Sequence, residues 1–238
     1  MNTMATPTNH IGIVGVSSEG CALFYRLVTR FAGTRRSPNE QPRISVHNEP
    51  LSAYLDCIRR DDWHGVGKLL RKSAEILARC GAGICLTPDN AVQYGVQLAE
   101  VGSPIPWLTI PELVGEQLAK DKRKVVGILG TKLVTRSSTY QTHLGLRGIQ
   151  VHAPSEHEAE RLDRIIFDEL IYGTTRPESH EAVLSMVQHM YEGGCEAVIL
   201  ASSELPLVIG VDNCVLPIYD SSEILAHAAV ERTTPGAN

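Results

Sequence analysis

Gly81-Ala-Gly-Ile-Cys-Leu-Thr-Pro-Asp89 and Gly194-Cys-Glu-Ala-Val-Ile-Leu-Ala-Ser202 are the two stretches whose reading decides the fold. Each begins at glycine, continues as a strand-like apolar run and ends on a polar group. Upstream lies a second matched pair, Gly12-Ile-Val-Gly15 and Gly127-Ile-Leu-Gly130. From first glycine to final polar residue the separation is about 75 residues in both copies, so one structural plan is used twice.

Outward from these stretches, strand-like and helix-period segments alternate. Ile11–Val14, Ile44–His47 and Ala82–Leu86 read as strands, with Leu23–Phe31 and Val66–Cys80 as helices between them. Pro104–Pro111 reads as the crossing between halves. Beyond it, Lys124–Leu129, Gln150–Ala153 and Ala197–Ala201 are strands, and Ser138–Leu146, Glu156–Tyr172 and Glu181–Tyr191 are helices. Leu216–Tyr219 and Ser222–Arg232 add a last strand and helix, and Thr233–Asn238 is expected to fray. This order implies an α/β fold of two pseudo-symmetric, doubly wound parallel-sheet halves with the active cleft between them. The boundaries read as 1–112 plus 211–238 for the first half and 113–210 for the second. Doubly wound sheets bind ligands at their strand C-termini, so Asp89 and Ser202 are expected to reach a shared cleft from opposite walls.

The 238 residues are 43% hydrophobic and 21% charged, enough for a sizeable core. A net charge of −5 argues against nucleic acid or an anionic membrane as partner. No apolar stretch is long enough to span a bilayer, and Met1 to His10 lacks the apolar core of a signal peptide. Six cysteines, Cys21, Cys57, Cys80, Cys85, Cys195 and Cys214, form no CxxC pair, which points to a reduced, cytoplasmic setting with most of them packed in the core. His152, His157, His180 and His189 fall on surface segments without metal-ligand spacing. GxSxG, P-loop and GxGxxG motifs are all missing from the sequence.

Four short segments carry candidate chemistry. Gly15-Val-Ser-Ser-Glu-Gly20 joins a strand to a helix, so Ser17 either cradles a carboxylate or phosphate or, with Ser18, simply caps the helix. Gly130-Thr131, with Ser137 and Ser138, is the matching turn of the second half and makes Thr131 the equivalent donor. Asp89 is a candidate general base and Asn90 a carboxylate-holding or orienting group, the alternative being an Asx-turn. Ser202-Ser203-Glu204 either caps the helix ahead of it or binds substrate. Glu204 can polarise the Ser202 hydroxyl or receive an ammonium group. Two positions along the start of a helix, however, its carboxylate is expected to point away from that hydroxyl.

These segments resemble the aspartate/glutamate racemase family. Gly12-Ile-Val-Gly15 with Ser17-Ser-Glu19 and Phe24-Tyr25-Arg26 is similar to the family's opening. Gly81-Ala82 through Pro88-Asp89-Asn90-Ala91-Val92-Gln93-Tyr94 lies without gaps on G-A-x5-P-C-N-T-A-H-Y. Gly194 through Ser202-Ser203-Glu204-Leu205-Pro206-Leu207 lies on G-A-D-x-V-I-L-G-C-T-E-L-P-L. Gly127-Ile-Leu-Gly-Thr131 with Tyr140, and Leu216-Pro-Ile-Tyr-Asp220-Ser221, extend the match over essentially the whole chain.

The resemblance implies a homodimer that acts on an aspartate- or glutamate-like acid without pyridoxal phosphate, metal or other cofactor. Two cysteines, one per half, would face opposite sides of the substrate Cα, one removing the proton and the other returning it. This chain departs at both positions, with Asp89 and Ser202 in place of the cysteines. Ala91, Gln93 and Leu225 depart from the pattern as well, Gln93 and Leu225 each standing where a histidine is expected. An aspartate and an unassisted serine differ greatly in acidity, so racemisation of aspartate or glutamate is expected to be poor. The alternatives are a one-sided isomerase, decarboxylase or hydrolase with Asp89 as base, or a catalytically inactive carboxylate-binding protein.

Overall fold

The computed structural model describes residues 10–35 and 41–233. Our readings of residues 1–9 and 234–238 fall outside them. The chain forms two compact units, residues 1–109 with 225–238 and residues 110–224. In the first, β1 (His10–Gly15), α1 (Ser18–Arg35), β2 (Arg43–Asn48), α2 (Leu51–Arg59), α3 (Trp63–Arg79), β3 (Ile84–Leu86), α4 (Gln93–Glu100) and β4 (Trp107–Leu108) follow one another. The second contains α5 (Ile110–Lys120), β5 (Val125–Leu129), α6 (Lys132–Thr135), α7 (Ser138–Gly145), β6 (Gln150–His152), α8 (Glu156–Asp168), α9 (Pro177–Glu192), β7 (Ala197–Leu200) and β8 (Ile218–Asp220). α10 (Ser221–Arg232) begins in the second unit and ends in the first.

Every strand pairing is parallel, and the two sheets share one topology, β2-β1-β3-β4 and β6-β5-β7-β8. Parallel strands covered on both faces need continuous apolar runs, and β1, β5 and β7 supply them. The first core gathers Val14, Leu70, Leu77, Cys85, Val96 and Trp107. The second gathers Leu129, Leu162, Val183, Met186, Val198 and Leu200.

The structure differs from the sequence reading in several places. The sequence boundaries put Leu216–Tyr219, within 211–238, in the first half, yet β8 pairs with β7, through Val198↔Ile218 to Leu200↔Asp220, and so belongs to the second sheet. A buried inner strand with an open edge recruits the next apolar run in the chain, so 211–224 stay in the second unit, as do 110–112. The segment 104–111, read as a connector, supplies β4 and the start of α5. The helix expected over Glu156–Tyr172 stops at Asp168, because the next side chain is pulled inward: the buried Glu169 carboxylate accepts the Arg176 N–H and the Ser179 hydroxyl. Thr233, expected to fray, is buried and donates to the Ala229 carbonyl.

The repeated glycines mark places where chain meets chain. A Cβ on Gly127 would overlap the flexible Met190 thioether, whereas a Cβ on Gly130 would lie 2.8 Å from the Ala201 carbonyl oxygen. A thioether can swing away and a backbone carbonyl cannot. We therefore expect Gly130→Ala to lower the denaturant midpoint more than Gly127→Ala. Overpacking at Gly130 should cost on the order of 1–3 kcal/mol, and equal midpoints for the two variants would contradict this difference in packing.

Asp220 caps α10, its carboxylate accepting the N–H groups of Ser222 and Glu223 at 2.8 and 3.2 Å. Burial outweighs those bonds and pushes the carboxyl from 3.8 to about 6. The folded chain therefore binds the proton more tightly than the unfolded chain. The linked stability is present at low pH and is lost as pH rises through that window, at most about 3 kcal/mol. Asp220→Asn keeps an acceptor and removes the titration. Relative to wild type, its melting temperature should rise between about pH 4 and pH 7, and a pH-independent difference would refute the assignment.

Candidate functional site

A strand order of 2-1-3-4 places a topological switch between the first and third strand of each sheet, where successive connections leave in opposite directions and open a crevice at the strand ends. In the first unit this edge carries Ser17, after β1, and Asp89 and Asn90, after β3. In the second it carries Thr131, after β5, and Ser202, Ser203 and Glu204, after β7.

In the first unit the residues after β3 form a tight turn. The Asp89 carboxylate accepts the Ala91 N–H at 2.9 Å, capping a short 3-10 turn over Asn90–Val92. This is the Asx-turn of the sequence reading, with Asp89 half-buried and Asn90 buried. Gln93 stands where the family pattern has histidine, and its side-chain amide donates to the carbonyls of Thr87 and Asp89 at 3.3 and 3.1 Å, bracing the turn from below. Ser17 caps α1, its hydroxyl oxygen accepting the Gly20 N–H at 3.1 Å. Gly15 makes room for a neighbour, since a Cβ there would overlap the Asn48 side chain.

Tyr54, on α2, carries no signal in the sequence. It is fully buried, and its hydroxyl completes no hydrogen bond among the described residues. Burial pushes it up to about 12, with Ser73 beside it acting the other way and the charges of Glu49 and Asp89 adding to the rise.

In the second unit the Ser202 hydroxyl donates to the Glu204 carboxylate at 2.7 Å, and both side chains are 7% exposed. This corrects the expectation that Glu204 points away. Residues 202–204 are a turn, with helical geometry starting only at Leu205, so helical divergence does not apply. No cation of the described residues pairs with Glu204. A buried carboxylate that accepts a serine hydroxyl places a proton acceptor directly beside that oxygen.

Thr131 is the N-cap residue of α6, but its side chain makes no capping hydrogen bond. Its hydroxyl is buried and has no partner among the described residues. The same holds for the hydroxyl of Ser222, just after β8. The polar run Asp220-Ser221-Ser222 follows an apolar strand, the same signal that marks Asp89 and Ser202. Since β5, β7 and β8 are neighbours, Thr131, Ser202 and Asp220 all lie on one sheet edge.

The cysteines do not offer a reactive pair. Cys85 and Cys195 are buried, and burial raises both thiols above their ordinary value. Cys21 is likewise pushed up to about 11 by burial. None of the three has the electropositive setting that makes a thiolate.

The same architecture occurs in solved structures. An aspartate racemase homologue from Pyrococcus horikoshii OT3 is 25% identical with a TM-score of 0.85, over 95% of this chain and 99% of that one. A putative Asp/Glu racemase from Yersinia pestis is 22% identical with a TM-score of 0.88, over 94% and 98%. A glutamate racemase from Francisella tularensis, solved with D-glutamate, shares 13% identity at a TM-score of 0.67, over 94% and 80%. Residues 13–229 match the sequence pattern of Asp/Glu/hydantoin racemases, and the chain belongs to that family.

Proposed function

We propose that this protein is a cofactor-independent racemase or isomerase that moves a proton at the Cα of a small carboxylate, an aspartate- or glutamate-like acid, with Asp89 on one side and Ser202 backed by Glu204 on the other. The observation that carries the reading is the buried 2.7 Å bond from the Ser202 hydroxyl to a carboxylate that no cation of the described residues pairs. A serine alone cannot match an aspartate as a base. A serine that passes its proton to Glu204 while accepting one from Cα presents a carboxylate's basicity at the serine oxygen. Each side then ends in a carboxylate, so neither direction has to form a free serine alkoxide. In this reading Thr131 and Ser17 hydroxyls bind the ligand carboxylate, Asn90 and Ser203 flank it, and the protein works as a cytoplasmic homodimer.

The test is solvent exchange with L- and D-aspartate and glutamate, followed by loss of the Cα proton signal and by chiral chromatography. Wild type should exchange and invert. Glu204→Gln keeps an acceptor for the hydroxyl but cannot take its proton, so exchange should fall by about 10²–10⁴-fold. Ser202→Ala should do the same for the enantiomer facing Ser202, and Asp89→Asn for the other. Unchanged exchange in Glu204→Gln would refute the relay. Exchange without inversion would establish a one-sided base, and binding without exchange a carboxylate-binding protein.

A further inference from the structure

The second unit carries a cavity of about 540 Å³ that shares no residue with the candidate site. Its wall is one stripe of α8, His157, Arg161, Arg164 and Asp168, spaced so that all four fall on the same helical face. Arg176, at the start of α9, closes the other side. Three arginines thus line one hollow in a chain whose net charge is −5.

Their partners are unevenly distributed. Arg161 donates to the Glu178 carbonyl at 3.2 Å, and Arg176 sits 3.8 Å from Glu169. Glu169 is itself committed, accepting the Arg176 N–H and the Ser179 hydroxyl from a buried position, and so fixes the loop that presents Arg176. Arg164 and His157 have no hydrogen-bond or ion-pair partner among the described residues. Asp168 remains as the exposed counter-charge, which leaves the hollow cationic.

We propose that this hollow binds a small, soluble, phosphate-bearing anion. A planar carboxylate offers its acceptor sites in one plane, whereas a tetrahedral phosphate offers oxygens in three directions. The volume lies within the ordinary range for small-ligand pockets, about 300–1,000 Å³, and exceeds what a bare phosphate ion fills, so a phosphate ester or diphosphate fits better.

Titration with inorganic pyrophosphate at constant ionic strength, followed by calorimetry and phosphorus NMR, tests the assignment. Wild type should bind saturably. Arg164→Ala, at an exposed and unpaired position that leaves the fold intact, should weaken binding at least tenfold. Arg164→Lys should restore only part, because charge returns without the fork. Ser202→Ala should bind as wild type does. Absence of saturable binding, unchanged affinity in Arg164→Ala, or weakening in Ser202→Ala would overturn the proposal. Equally tight binding of citrate would overturn the phosphate assignment, and co-sedimentation with phosphatidylglycerol vesicles would overturn the soluble source.

Discussion

Parallel pairing is the constraint on which the rest depends. A parallel strand cannot be reached by a tight turn, so each connection leaves the C-terminal edge, crosses a face as helix and returns to the opposite edge. Both sheets use the order 2-1-3-4, and their connections cross as helix except that from β7 to β8, which runs through a short 3-10 turn at Leu205–Leu207. The residues that end the first and third strands are thereby brought side by side at one edge of each sheet. Ser17 and the Asp89 turn follow neighbouring strands in this way, as do Thr131 and the Ser202 turn. Neither pairing needs a special loop, only two strands short enough to end together.

The strand ends are also where polar groups are buried at a cost to stability. Asp89 is held by a turn that Gln93 braces through two carbonyls, so its position is set by backbone rather than by a long flexible chain. Glu204 is different. Its carboxylate accepts the Ser202 hydroxyl and pairs with no cation among the described residues, which sets a proton acceptor behind the serine oxygen. Placing a carboxylate behind a serine gives its hydroxyl proton a place to go.

Much of this is legible in the sequence. The repeat of glycine-started apolar runs identifies the two-half architecture, because buried parallel strands must be apolar throughout and cannot disguise themselves. The polar residue closing each run locates Asp89 and Ser202. The features that are not legible depend on tertiary choices. β8 joins the second sheet because an inner strand has an unpaired edge, which no local signal reports. Glu204 turns toward Ser202 because the chain there is a turn, while spacing alone suggests a helix. Tyr54 carries no local mark, since an unpaired buried hydroxyl is defined only by its surroundings.

The central claim is that two different groups handle the proton on opposite sides of Cα. The most direct test is the early time course of wild-type protein with a single enantiomer in deuterium oxide, reading deuterium separately in remaining substrate and in product. Two-base transfer predicts deuterium in the inverted product while the remaining substrate keeps its protium. Deuterium entering the substrate with its configuration retained would show one group acting alone, and would contradict the account.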